Sequence, residues 1–323
     1  MRAAVLHTPG SAPAFGDHPD PEPAAGRSLV TVTAAPIVPL DLLCASGTSY
    51  FGRPAVPYVP GVQGVGVVER SDRFTPGTRV WFATSAGMAP GDGSLAERSV
   101  VAAEDLIPLA ADVPDASIAA LGLSAVAAWM ALTLRAGLQP GEHVLVLGGG
   151  GAVGQAAAGA AKLLGAGRVV AVGRSEEARQ RARSAGADEV VPLSGDVDEL
   201  AARFARACGG RLDVVVDPVF GTAATAASRV LSDGGRLVNL GGMSGDVAEF
   251  SSAVLRSKSA SVLGYTNNAL TPAQRRAALT AVAEHAAAGR LAFAYEEVGL
   301  ADVADAWRRQ ETGDVGVRLI LRP

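Results

Sequence analysis

At 323 residues, with 49% hydrophobic and 19% charged residues, the chain is long enough for two domains and for a core of real size. Its net charge of −4 excludes a general attraction to nucleic acid or anionic membranes, and no block of like charges marks an interaction tail. The opening MRAAVLHTPG is broken at Pro9 and Gly10 too soon for a signal peptide, the alanine-rich stretches are expected to be interrupted before they reach a membrane span, and Cys44 and Cys208 read as buried free thiols of a cytoplasmic protein.

From Met1 to about Ala120 the chain is rich in Pro, Gly and short β-type runs. Leu29–Thr33 alternates apolar and polar residues and predicts a half-buried strand; Gly64–Val68 and Arg79–Phe82 predict two more, the second after the turn Pro76-Gly77-Thr78. Many short strands with turns suggest a small barrel. Beyond Ala120, strands alternate with helices. Strands are predicted at 143–147, 168–172, 189–191, 212–217 and 236–240, and helices at 152–165, 175–185, up to about 207, and 223–231. These strands are continuously apolar, as strands buried on both faces of a parallel sheet must be. After Ser261–Tyr265 come a helix over 272–288, a short linker, a helix near 303–310 and a closing strand at 318–321.

The first strand of the alternating region runs into Gly148-Gly149-Gly150-Gly151-Ala152-Val153-Gly154. Gly149-x-Gly151-x-x-Gly154, between a strand and a helix, matches the dinucleotide fingerprint: Gly149 for the tight turn, Gly151 for approach of the pyrophosphate, Gly154 for close helix–strand packing. Gly150, Ala152 and Val153 complete the phosphate-binding turn at the helix N-terminus. An acid for the ribose 2′-OH is expected at the end of the next strand in NAD enzymes, but Gly173-Arg174-Ser175 stands there. Gly173 leaves room, Arg174 offers a guanidinium fork and Ser175 a hydroxyl, which predicts NADPH as cofactor. The alternative is that Arg174 points into solvent and Ser175 only caps the next helix.

These features, with Met1–Val5, Pro60–Val68, Pro76–Val80, Gly93–Glu97, Ala120–Trp129 and Gly234–Val238 in order, resemble the medium-chain dehydrogenase/reductase superfamily in its zinc-free, quinone-oxidoreductase-like branch. The resemblance implies an α/β protein, with a GroES-like β-rich catalytic domain at 1–120 and 267–323 and a Rossmann doubly wound parallel-sheet domain at 121–266. It implies a homodimer joined through the strand near Ser261–Tyr265, and the nicotinamide in a cleft between domains. Zinc members carry His-Glu after the glycine where this chain has Val62-Gln63, and a cysteine ligand near Leu40. Two cysteines and the scattered His7, His18, His143 and His285 cannot build either zinc site, so no metal is expected. Asn-Pro-x-Asp of the quinone-reductase relatives is Val38-Pro39-Leu40-Asp41 here, and a nicotinamide-contacting threonine is Ala127. Ser124 stands nearby as a substitute.

In this branch the reducing power is the cofactor's, and the protein supplies orientation, a dry site and a proton. Tyr50 is the candidate donor, with packing on a loop as its alternative. Asp41 either fixes the loop or touches substrate, and Gln63 either bonds a substrate carbonyl or sits behind it. On the cofactor side Pro218 and Val219 are expected to flank the adenosine ribose, Leu240, Gly241 and Gly242 to line the nicotinamide ribose, and Tyr265, Thr266 and Asn267 to hold the carboxamide edge, since ligands bind at the carboxyl ends of such strands. The expected activity is hydride transfer from NADPH to a small molecule, a quinone or an α,β-unsaturated carbonyl compound. An enoyl-thioester substrate and a non-catalytic NADPH-binding role are the alternatives.

Overall fold

The structure is a computed structural model that describes residues 1–313 and 316–323. It divides into two compact units, Met1–Gly122 with Phe293–Pro323, and Leu123–Ala292.

The first unit holds β1 (Arg2–Val5), β2 (Ala14–Asp17), β3 (Arg27–Pro36), α1 (Pro39–Ser46), β4 (Gln63–Arg70), β5 (Arg79–Ala83), β6 (Arg98–Ala102) and β7 (Leu106–Pro108). β3 runs antiparallel to both β4 and β6, and β4, β5 and β7 continue the sheet in antiparallel order. The sequence predicted a half-buried β3, but most of its residues are buried. Within the predicted stretch the alternation holds, with Val30 and Val32 in a core with Phe82, Leu95 and Trp307 while Thr31 is exposed and Thr33 half-buried; the added burial lies at Ala34–Pro36, beyond it.

A helical run, α2 (Asp115–Met130), is broken at Gly122 (φ 26°, ψ −128°), where the first unit's opening segment ends. The expectation that no segment would reach membrane-spanning length needs correction. Asp115–Arg135 is 21 residues, long and apolar enough by composition alone, but its apolar stretch is mostly buried inside the protein, as in a core helix.

The second unit contains β8 (His143–Val146), α3 (Ala152–Leu163), β9 (Arg168–Gly173), α4 (Glu176–Ser184), β10 (Glu189–Pro192), α5 (Val197–Ala207), β11 (Val214–Asp217), α6 (Gly221–Val230), β12 (Arg236–Asn239), α7 (Ser252–Ser257), β13 (Ser261–Gly264) and α8 (Pro272–Ala287). All six strands are parallel, in the order β10-β9-β8-β11-β12-β13. Counted from β8 this is 3-2-1-4-5-6, the doubly wound Rossmann order, with its switch point between β8 and β11. Val144, Leu145, Val170, Val172, Val215 and Leu237 are fully or almost fully buried, so the continuous apolar runs are explained by helices on both faces.

The chain returns to the first unit at Phe293, not at 267. α8 stays with the parallel sheet's unit because it buries Leu279 and Val282 there. His285 packs at a tilt against Trp129 with ring centroids 5.3 Å apart, and Leu291 lies against Gly159 of α3. The return brings β14 (Tyr295–Gly299), which the sequence left as linker, then α9 (Val303–Thr312) and β15 (Arg318–Arg322). β14 pairs parallel with β15, and β15 pairs antiparallel with β3.

Candidate active site

In the second unit the residues converge on the carboxyl ends of β8, β9, β11 and β12. The left-handed residue of the turn after β8 is Gly148 (φ 67°), one position before the Gly149 to which the motif assigned it. A Cβ at Gly148 would stand 2.6 Å from Val219 Cγ1, so the turn presses directly on the loop after β11, across the switch point. Gly149 and Gly150 serve close approach: added Cβ atoms would lie 2.7 Å from Ala171 Cβ and 2.5 Å from Ala178 Cβ, respectively. Gly154 lies beneath the turn, its would-be Cβ 2.3 Å from Gly148 O. Gly151 differs from all of these. It is the exposed N-cap of α3, and the nearest atom to a Cβ there would be 3.5 Å away. The open side of the turn is therefore at Gly151, where the first-turn amides of Ala152 and Val153 lack intrahelical acceptors. A pyrophosphate fits this cradle by shape and by dipole.

At the end of β9, Gly173 is covered by α4, with a would-be Cβ 3.1 Å from Arg179 Cγ. Arg174 is exposed. Ser175 caps α4, accepting from Ala178 N at 3.1 Å, and its hydroxyl helps hold the Glu177 carboxyl below its ordinary range, after that residue's own amide. The capping role is therefore present whatever else Ser175 does.

Two polar residues build the switch point, and one of them, Asp217, was missed as a site residue. Asp217, fully buried at the end of β11, accepts from Val219 N (3.0 Å) and Phe220 N (2.7 Å). Burial pushes its carboxyl up, against the pull of those amides and of Asn239. Asn239 Nδ2 donates to Gly241 O at 2.7 Å and to Asp217 Oδ2 at 3.3 Å. Together they fix Pro218 and Val219 beside Leu240, Gly241 and Gly242; a Cβ at Gly241 would be 2.7 Å from Pro218 O. The visible signal was an acid ending the apolar run Val214-Val215-Val216. Further along, Tyr265 N donates to Asn239 O (2.9 Å), Tyr265 Oη to Asn267 Oδ1 (2.7 Å) and Asn267 Nδ2 to Leu123 O (3.0 Å). This chain of bonds brings 265–267 next to Ser124, while Thr266 caps the short turn that follows it.

In the first unit, Asp41 is hydrogen-bonded to Val62, the neighbour of Gln63, and Tyr50 stands apart from both. Asp41 is 1% exposed, and its two oxygens accept from Val38 N and Val62 N, each at 2.8 Å. Of the two roles expected for it, these contacts are those of loop fixing: they clasp the start of α1 to the entry of β4. Burial pushes its carboxyl up to about 6, while the two amides and the buried Arg318 pull the other way. Gln63 is 1% exposed; its Oε1 accepts from Trp81 Nε1 at 3.2 Å and lies against Gly122, which keeps it behind the surface. Tyr50 is 78% exposed, its ring 4.2 Å from that of Phe51. Cys44 and Cys208 are both free and buried, and burial pushes each thiol up to about 12. Among the described residues no group of three or more His, Cys, Asp or Glu side chains is placed to hold a metal ion.

Two family models match: the alcohol dehydrogenase GroES-like domain over residues 24–112 and the zinc-binding dehydrogenase over residues 152–284. The chain belongs to the medium-chain dehydrogenase/reductase superfamily. Within it the chain is quinone-oxidoreductase-like. It is 28% identical to a quinone oxidoreductase of Lama guanicoe over 68% of its own length and 66% of the relative's. It is 30% identical to a phenolphthiocerol/phthiocerol polyketide synthase of Mycobacterium tuberculosis over 99% of its own length, but spans only 15% of that much longer protein. A solved structure of the quinone oxidoreductase from Thermus thermophilus, reported also in complex with NADPH, superposes with a TM-score of 0.79 at 29% identity, covering 100% of both chains.

Proposed function

We propose that this medium-chain dehydrogenase/reductase is an NADPH-dependent, metal-independent oxidoreductase that reduces a quinone or an α,β-unsaturated carbonyl compound. The observation that carries the proposal is the pair of turns at the ends of β8 and β9: a glycine cradle open only at Gly151, beside a β9 end with Gly173-Arg174 in place of an acid. When bound, the dinucleotide supplies the hydride. The protein's part is to hold its ends. Ala152 and Val153 offer amides to the pyrophosphate, Arg174 offers charge to the 2′-phosphate, Pro218 and Val219 flank the adenosine ribose, and the Asn239–Asp217 pair keeps Leu240, Gly241 and Gly242 in place for the far ribose. Ser124, Tyr265, Thr266 and Asn267 line the carboxamide side. Tyr50 donates the proton at the product oxygen; its exposed hydroxyl can recharge from solvent. Asp41 acts as a positioning residue that fixes the start of α1 to β4, and Gln63 sits buried behind the surface of the first unit.

The match to a polyketide synthase along 99% of the chain favours one variant, in which the unsaturated carbonyl is a thioester, because such synthases carry their chains as thioesters. A homodimer through β13, the edge strand of the six-stranded sheet, belongs to the same reading, since pairing would cover an edge otherwise open to aggregation.

The test is steady-state oxidation of NADPH and NADH with a panel of quinones, enones and enoyl-thioesters. The expected result is NADPH consumption with at least one class; no turnover with any of them overturns the assignment. Titration of both cofactors into Arg174→Ala should show that most of the preference for NADPH is lost while NADH affinity stays.

A further inference from the structure

The glycine cradle is bolted to α4 by a side chain outside the fingerprint. Gly150 O accepts two donors, Gln155 Nε2 at 2.9 Å and Arg181 Nε at 3.1 Å. Gln155 is 7% exposed and comes from α3; Arg181 is half-buried and comes from α4. Among the described residues this is the one side-chain hydrogen bond Arg181 makes, so the rest of its five-donor fork donates to no protein acceptor. Its neighbour Arg179 is spent: Nε and Nη2 go to Glu176, and Nη1 to Gly173 O and Arg174 O. The opposing charge near Arg181 is the exposed Glu177, one turn earlier on α4.

The side of the cradle that Arg181 touches matters. Gly149 and Gly150 pack on Ala171 of β9 and on Ala178 and Ala182 of α4. This is the side that ends in Gly173 and Arg174, where the 2′ position of a bound dinucleotide is read.

We propose that Arg181 is a second reader of the 2′-phosphate, working with Arg174. Arg174 stands exposed on the turn after β9; Arg181 is pinned at Nε to the cradle, so its Nη groups are held ready and lose little freedom on binding. Gln155 alone can hold the Gly150 carbonyl, which leaves Arg181 its charge for the ligand. The inference rests on the NADPH reading and names a specificity-determining residue for it.

Calorimetric titration of the full-length protein with adenosine 2′,5′-bisphosphate and with adenosine 5′-monophosphate tests the proposal. The wild type should prefer the bisphosphate. Arg181→Ala should weaken bisphosphate binding about tenfold or more and leave monophosphate binding within about twofold. Arg181→Gln keeps a donor for Gly150 O and drops the charge, and should show the same selective loss. Gln155→Ala, which disturbs the cradle without touching the charge, should weaken both ligands alike. If Arg181→Ala weakens both ligands equally, or neither, Arg181 is a structural clamp and the proposal is overturned while the NADPH reading stands. If the wild type binds the two ligands equally, or binds neither, the NADPH reading falls and this proposal with it.

Discussion

Gly151 and Gly154 lie in one turn and should fail in different ways when each gains a methyl group. At Gly154 the new Cβ would stand 2.3 Å from Gly148 O and 2.6 Å from Gly149 Cα. Both are backbone atoms that cannot easily withdraw, because Gly148 O accepts from Gly151 N at 3.1 Å and Gly149 N donates to Val172 O at 2.7 Å. Relief requires a shift of about an ångström. Overpacking of this kind costs about 1–3 kcal/mol, and a hydrogen bond lost in the shift about 1 more. Gly154→Ala should therefore destabilise the protein by roughly 2–4 kcal/mol and lower its melting midpoint by roughly 5–15 °C. At Gly151 the nearest atom would be 3.5 Å away, an ordinary contact, and the backbone (φ −80°) suits alanine. Gly151→Ala should melt no lower than the wild type, and the restricted unfolded chain adds up to about 1 kcal/mol in its favour. The methyl group does fill the open side of the cradle, so dinucleotide affinity should fall at least about tenfold. Thermal scans and NADPH fluorescence titrations of the three proteins decide both points. A Gly154→Ala protein that melts like the wild type refutes the packing argument. A Gly151→Ala protein that binds NADPH like the wild type refutes the assignment of that open face to the pyrophosphate.

Three further outcomes are expected. Asp41 has its carboxyl raised from 3.8 to about 6 by burial, so the folded chain keeps a proton that the unfolded chain releases. Its stabilising contribution is complete below the unfolded value and is lost as pH rises through the folded one, a swing of roughly 3 kcal/mol. The unfolding free energy of the wild type minus that of Asp41→Asn should accordingly fall between pH 4 and 7, as followed by urea denaturation, and a flat difference would refute it. Tyr50→Phe, at a position 78% exposed, should leave stability unchanged and lower kcat by about a hundredfold; an unchanged kcat would remove Tyr50 from the chemistry. Dialysis against a chelator should leave NADPH-dependent turnover intact, and its loss, restored by zinc, would refute metal independence.

The alternating half of the fold was legible because local rules and tertiary context agree there. Strands such as Val214–Asp217 are apolar at successive positions only if helices cover both faces, and Gly149-x-Gly151-x-x-Gly154 has its meaning from the strand before and the helix after. The chemical types at the ends of those strands, including the missing acid at Gly173, are likewise written in the chain. What the chain did not show depends on contacts between residues far apart in sequence. The alternation at Leu29–Thr33 reported the exposed Thr31 correctly, but not the buried continuation of β3 through Ala34–Pro36. The unit boundary at Phe293 was placed early because composition changes at the end of the sheet, whereas α8 is held by Trp129, more than a hundred residues back in the chain. Gly148 rather than Gly149 takes the left-handed turn, and Val219, from across the switch point, leaves no room there for a side chain. Asp41, which by type alone was open to either role, is a clasp because folding brings Val62 N to its second oxygen. Residue type determines what chemistry each position can offer; only the tertiary structure decides which of those groups are already used by the protein itself and which, like the open face at Gly151 and the fork of Arg181, are not.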